Sequence, residues 1–245
     1  MSSSPACGMH LRHTFKGFVV GPSNQAALAA CRAASKPFKH AHSLLFVHGG
    51  VGLGKTHLLS AIEHRLFQHD PDARVARLST EKFAAEHHLA HKTGAMEGFL
   101  HRYQQLDMLL LDDIQFLADD RVGRTMRQLF DLPRRRIVVT CDRPMPELTV
   151  PDHSLARHFM DFKAIALLPP SYRTRLAILH LKAKTIPLDL PVAVLERLAR
   201  RLPGYIRRLE GAMFRIAQPS GGKNVPPDIA VVDDLIVELL KAEQI

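Results

Sequence analysis

The sequence predicts an α/β fold, a parallel five-stranded sheet with helices on both faces, followed by a small all-helical domain. Three observations carry this. The apolar run LLFVH (44–48) leads directly into Gly49-x-x-x-x-Gly54-Lys55-Thr56, the strand–loop–helix pattern of a phosphate-binding P-loop. Further apolar runs alternate with helical segments, as parallel strands joined by crossovers require. Beyond Pro169-Pro170 no strand-like run follows.

After the loop, HLLSAIEHRLFQ places Leu58, Leu59, Ile62 and Leu66 on one helical face. A helix therefore starts at the loop, its positive end directed at an anion. Pro71-Asp72 marks a turn, and RVARLST (74–80) reads as the second strand. Residues 81–105 are helical in composition and rich in His, Lys and Arg. DMLLLDDI (107–114) is the third strand, apolar in the way a strand buried on both faces must be. A basic helix from Arg121 to Leu132 stops at Pro133. RIVVTCD (136–142) and KAIALL (163–168) are the fourth and fifth strands. Residues 171–183, 191–202, 205–217 and 228–242 read as four helices, with Gly221-Gly222 and Pro226-Pro227 bracketing the last loop. The expected organisation is a tail (1–14), a nucleotide-binding core (15–170) and a helical lid (171–245).

The chemistry of the loop dictates its residues. Without a Cβ, Gly50, Gly52 and Gly54 let successive backbone N–H groups turn inward around a phosphate. Lys55 can reach the β- and γ-phosphates, the Thr56 hydroxyl can ligate Mg²⁺, and His57 follows in the same turn. Asp112 and Asp113 close the third strand, where Asp112 would hold Mg²⁺ and Asp113 would orient or deprotonate an attacking water. ATP or ADP with Mg²⁺ is the expected ligand.

Composition sets the class. Of 245 residues, 46% are hydrophobic and 23% charged, ordinary for a globular chain. No apolar run is long enough to cross a bilayer, and the start lacks a secretory signal. Three separated cysteines, Cys7, Cys31 and Cys141, point to reduced thiols in the cytoplasm. A net charge of +9 favours nucleic acid or another polyanion as partner. With 6% aromatics and no Trp, base stacking is not the expected main binding mode. His87 and His91 share a helical face at i, i+4, but no third ligand accompanies them, so they read as part of a solvated basic face with His88. His40, His42 and His48 read as packing or surface residues, and Arg134-Arg135-Arg136 as an exposed strand entry.

The motifs VVGPSN (19–24), GGVGLGKTHLL (49–59), LLLDDIQFLA (109–118), CDRP (141–144) and RRLEGAMFR (207–215) closely resemble the bacterial replication initiator DnaA family of AAA+ ATPases. The resemblance runs from about Phe15 to Leu240 and covers the ATPase core and lid. It implies that Val20, Gly21 and Asn24 lie along the adenine, that Asp142 reads the γ-phosphate, and that Arg207 is the lid arginine sensing bound nucleotide. It also implies a slow ATPase acting as a switch in replication initiation, with nucleotide-dependent self-association and contact with single-stranded DNA through the 81–105 insert. At the positions implied for that contact, Arg121 keeps the family's basic residue, now preceded by Asp119 and Asp120, whereas His88 replaces a valine that lines the DNA path.

Departures matter as much. Where the family has a finger arginine reaching the neighbouring subunit's ATP, this chain has His158, with Arg157 one place earlier. One residue is about 100° of helical rotation, so Arg157 does not simply substitute. A further family arginine is replaced by Ser154. No helix-turn-helix segment follows the lid, so sequence-specific duplex recognition is not expected. The alternatives are a regulatory paralogue of the Hda type docking on a full-length initiator, and a helicase or transposition loader of the DnaC/IstB type. The wording DDIQF and the short N-terminal tail disfavour a loader, and the tail holds no Gln for a clamp-binding peptide.

Overall fold

In a computed structural model, residues 13–36, 43–133, 136–185, 189–202, 204–217 and 228–241 are described. The 1–12 part of the tail, with Cys7, lies outside them, as do His40, His42, Arg134, Arg135 and the Gly221–Pro227 loop. The chain divides into two compact units. One comprises Met1–Phe18, Ala26–Gly49 and Lys55–Leu167; the other comprises Val19–Gln25, Gly50–Gly54 and Leu168–Ile245.

In the first unit, strands β1 (Ser43–His48), β2 (Val75–Ser79), β3 (Met108–Asp112), β4 (Arg136–Cys141) and β5 (Lys163–Ala166) form one sheet in the order β2-β3-β4-β1-β5. Every pairing is parallel, as the alternating pattern predicts. β3 and β4 are buried along their whole length, consistent with their unbroken apolar runs. Helices α1 (Gln25–Ala34), α2 (Lys55–His69), α3 (Thr80–Lys92), α4 (Met96–Gln104), α5 (Asp120–Phe130) and α6 (His153–His158) complete this unit. Its core is rich in aromatics. Phe46 meets Phe159 edge-on at 5.7 Å, and Phe83 meets Phe99 at 5.4 Å and Tyr103 at 4.9 Å, geometries that add to simple burial.

The 81–105 insert, helical in composition as expected, is two helices. Gly94 adopts φ +70°. The Ala95 N–H donates to the Ala90 carbonyl at 2.8 Å and the Gly94 N–H to that of His91 at 3.4 Å, a Schellman termination. Composition cannot reveal this break, but the Gly after Lys92-Thr93 can. Arg136 is not an exposed strand entry. It is 3% exposed, and its Nη2 donates to the carbonyls of Ala34 and of Lys36 (3.0 Å to the latter). A buried guanidinium thus satisfies the carbonyl-rich end of α1.

The second unit holds α7 (Tyr172–Ala183), α8 (Val192–Arg201), α9 (Ile206–Ala217) and α10 (Ile229–Lys241). Leu179, Leu195, Leu198, Leu209, Met213, Val232 and Ile236 pack as its core. Ser171 caps α7, accepting the Thr174 N–H at 3.3 Å, a standard N-terminal satisfaction. No helix among the described residues is long and apolar enough to cross a membrane. Cys31 and Cys141 are buried and unbridged; burial pushes the Cys31 thiol up to about 12, leaving it inert.

Candidate nucleotide site

In the first unit, the Asp112 carboxylate that ends β3 is held by two threonine hydroxyls. The Thr56 hydroxyl, at the start of α2, donates to Asp112 Oδ2 at 2.7 Å. The Thr140 hydroxyl, from β4, donates to Asp112 Oδ1 and accepts the Asp113 N–H at 2.9 Å. The register explains this, since Leu111 pairs with Val139 and the next residue on each strand faces the same edge. Asp113 stands at φ 58°, ψ 58°, a left-handed conformation a non-glycine residue rarely takes. Gln115 Nε2 donates to Asp113 Oδ1 at 3.0 Å, and the Asp142 N–H donates to Gln115 Oε1 at 3.2 Å. Gln115 therefore ties the ends of β3 and β4 together. Asp142 also accepts Arg143 Nε and Nη2 at 2.7 and 3.0 Å. That paired guanidinium, with Lys55 contributing more weakly, holds the Asp142 carboxyl below its ordinary range. Lys55 is buried and donates from Nζ to the Gly49 carbonyl at 2.7 Å. His57 Nε2 meets the Thr14 carbonyl at 2.8 Å, so its ring ties α2 to the segment preceding α1.

In the second unit, Gly50–Gly54 lies against the start of α9. The Ile206 N–H donates to the Gly52 carbonyl at 3.1 Å. Gly52 takes φ +76°, and a Cβ there would sit 3.0 Å from the Arg207 Cβ, so both conformation and space require glycine. Arg207 is exposed beside it, and Tyr205 stands over Gly50. Asn24 is buried and closes the Val19–Asn24 turn. Its Oδ1 accepts the Gly21 N–H at 2.9 Å and its Nδ2 donates to the Val19 carbonyl at 2.9 Å, while Val20 is exposed. A Cβ at Gly21 would meet Thr174 Oγ1 at 2.2 Å.

Thr140, Gln115, Tyr205 and Thr174 are the residues that motif reading missed. Thr140 lies inside an apolar strand run, where its only sequence signal is a hydroxyl one place before the cysteine of CDRP. Thr140→Val should leave the Asp113 N–H and one Asp112 oxygen without this partner, at a cost of about 1–3 kcal/mol. Urea unfolding checks that loss; an unchanged midpoint would show that the relay contributes nothing.

Away from these residues, His88 and Arg121 are brought together by Asp119, which caps α5. Asp119 accepts from His88 Nε2 at 3.0 Å and from the Arg121 N–H at 2.7 Å. Partial burial alone would raise its pKa, but these bonds outweigh it and the net shift is downward. His158 turns onto the Asp131 carboxylate, beside Arg127, whereas Arg157 is exposed. Among the described residues no group of three or more His, Cys, Asp or Glu could hold a metal ion.

His87 is not on the solvated face but 3% exposed. Its Nε2 lies 3.0 Å from the Thr125 hydroxyl, which itself donates to the Arg121 carbonyl at 3.1 Å. Nε2 therefore carries the proton and donates, and Nδ1 is buried without a partner among the described residues. Burial first, then the charges of His88, His91 and Arg121 against an opposing Asp119, hold His87 below the ordinary imidazole range. The unfolded chain then binds more protons than the native one between the lowered value and roughly 6.5. Stability is complete above that window and falls as pH drops through it. His87→Leu should flatten the dependence of the urea midpoint on pH below about 6.5; an unaltered slope would show that His87 is not its source.

A five-stranded parallel sheet in this order, a glycine-rich loop running from β1 into α2 and carboxylates closing β3 define the AAA+ class of P-loop ATPases. The bacterial DnaA ATPase domain matches residues 9–163. Domain III of the Thermotoga maritima replication initiation protein DnaA is similar at 31% identity with a TM-score of 0.85, over 94% of this chain and 98% of that one. AMPPCP-bound DnaA from Aquifex aeolicus is similar at 27% identity and 0.76, over 85% of this chain and 66% of that one. A replication initiator DnaA bound to AMPPCP and single-stranded DNA matches at the same identity and score, with 65% of its length covered. This chain belongs to the bacterial DnaA ATPase-domain family.

Proposed function

We propose that this chain binds ATP–Mg²⁺ and hydrolyses it slowly, as a conformational switch in replication initiation or its regulation in the cytoplasm. The observation that carries the reading is the hydrogen-bonded cluster of Thr56, Asp112, Thr140 and Asp113. In this reading residues 15–170 are the nucleotide-binding core and 171–245 the lid. Thr56 and Asp112 offer one hydroxyl and one carboxylate within 2.7 Å of each other, the sparse oxygen set that suits Mg²⁺, which keeps waters and phosphate oxygens as its remaining ligands. Bound there, Mg²⁺ would neutralise phosphate charge. Lys55 supplies a point charge to the β- and γ-phosphates, and Asp113 orients and accepts a proton from the attacking water. Asp142 reads the γ-phosphate, and Arg207 contributes a permanent guanidinium to the phosphates. Val20, Gly21 and Asn24 line the adenine.

Single-stranded DNA is the proposed partner, because similar initiators bind it and this chain is strongly basic. His88 and Arg121 are the proposed contacts, with the His88 ring and the Arg121 backbone N–H both engaged by Asp119. A second reading, a regulatory subunit docking on a full-length initiator, is favoured by His158. An imidazole engaged by Asp131 does not reach a neighbour's ATP as a guanidinium would. Anisotropy of a labelled single-stranded oligonucleotide, titrated with protein plus ATP–Mg²⁺, ADP–Mg²⁺ or no nucleotide, separates the two. Tight binding with ATP alone supports the initiator-type switch. Equal or absent binding in all three states removes it in favour of a protein partner.

A further inference from the structure

On the first unit, the ends of α1 and α2 and the Thr14–Lys16 segment line an open surface cavity of about 440 Å³, within the size range of small-ligand sites. Its lining includes Lys16, Arg32, Arg65, His64 and His69, and no carboxylate among the described residues. The Arg32 and Arg65 guanidinium carbons stand 5.8 and 5.9 Å from the centroid of Phe15. Phe15 is itself buried and so serves as a fixed platform for both. None of Lys16, Arg32 and Arg65 is ion-paired with a carboxylate among the described residues, whereas Arg74, Arg77, Arg102 and Arg124 each are.

Helix ends explain part of this. Arg32 and His69 lie in the last turns of α1 and α2, where cations complement the dipole. That account does not cover Lys16, which belongs to no helix. Nor does it require a concavity, or two guanidinium groups gathered on one ring. Cations converging on a cavity repel one another, and an anion between them relieves that repulsion. Guanidinium forks pair bidentately with phosphate oxygens. We infer that this cavity is a binding site for a small anion carrying two or more phosphate groups, separate from the P-loop.

The test is calorimetric titration of the ADP–Mg²⁺-saturated chain with sodium tripolyphosphate at low salt. The expected result is one equivalent bound with an affinity on the order of 10–100 µM. Binding should weaken about tenfold or more in Arg32→Gln/Arg65→Gln and less in Lys16→Gln, with Arg173→Gln, on the exposed start of α7, unchanged. Thermal melts of each variant verify folding, and the single Lys16→Gln change keeps the test decisive if the double variant unfolds. Equal affinity in the pocket variants and the wild type would overturn the site. So would orthophosphate binding as tightly as tripolyphosphate, which marks simple ion attraction. Displacement of tripolyphosphate by a short single-stranded oligonucleotide would overturn the small-ligand assignment, since the phosphates would then belong to a nucleic-acid backbone.

Discussion

Lys55→Ala is expected to weaken ATP–Mg²⁺ binding by on the order of 100-fold or more, since the ammonium makes charge-assisted bonds worth about 1.5–3 kcal/mol each. Lys55 is buried at the start of α2 and already donates to the Gly49 carbonyl at 2.7 Å. An ammonium has three N–H donors, so it can serve a phosphate from the same position. Removing it also deprives the Gly49 carbonyl of this bond, and a modest loss of stability, about 1 kcal/mol, should accompany the loss of affinity. A nucleotide titration beside a urea melt separates these effects. Wild-type affinity in a folded Lys55→Ala chain would sink the nucleotide-site proposal.

The second large effect is on turnover. Asp113→Asn should reduce single-turnover ATP hydrolysis by about 10²–10⁴-fold, the usual contribution of a positioned general base, with nucleotide affinity little changed. Asparagine is the informative replacement for conformational reasons. Asp113 sits at φ 58°, ψ 58°, a region Asn tolerates better than Ala. The Asn oxygen can still accept the Gln115 Nε2 bond and its N–H can still donate to Thr140. Charge and basicity are lost while the turn is kept. Undiminished hydrolysis would remove Asp113 from the proposed mechanism.

The fold was legible because its signals are local. An apolar run buried on both faces has few alternatives to a central parallel strand, and β3 and β4 lie where DMLLLDDI and RIVVTCD place them. The glycine-rich loop was legible too, because Gly52 and Gly54 take φ +76° and +102°, backbone that residues with a Cβ adopt only with strain. The elements misread were those whose neighbours decide. His87, in a histidine cluster that reads as solvated, is buried under Thr125 because α3 turns that face inward. Arg136, inside a basic run that reads as exposed, caps α1 from a strand a hundred residues away.

By itself, then, the sequence determined the parallel α/β class, the glycine-rich loop between β1 and α2, the adjacent carboxylates closing β3 and the helical segments after Pro169-Pro170. Each depends on residue type within a few positions, where periodicity and backbone chemistry act. Only the tertiary structure decided that Thr140 and Gln115 bind the carboxylate cluster, that Tyr205 and Arg207 border the loop glycines, and that cations from three separate segments converge around Phe15. Those relations join residues distant in the chain. The pairing of strands and packing of helices set their distances, and no local pattern encodes them.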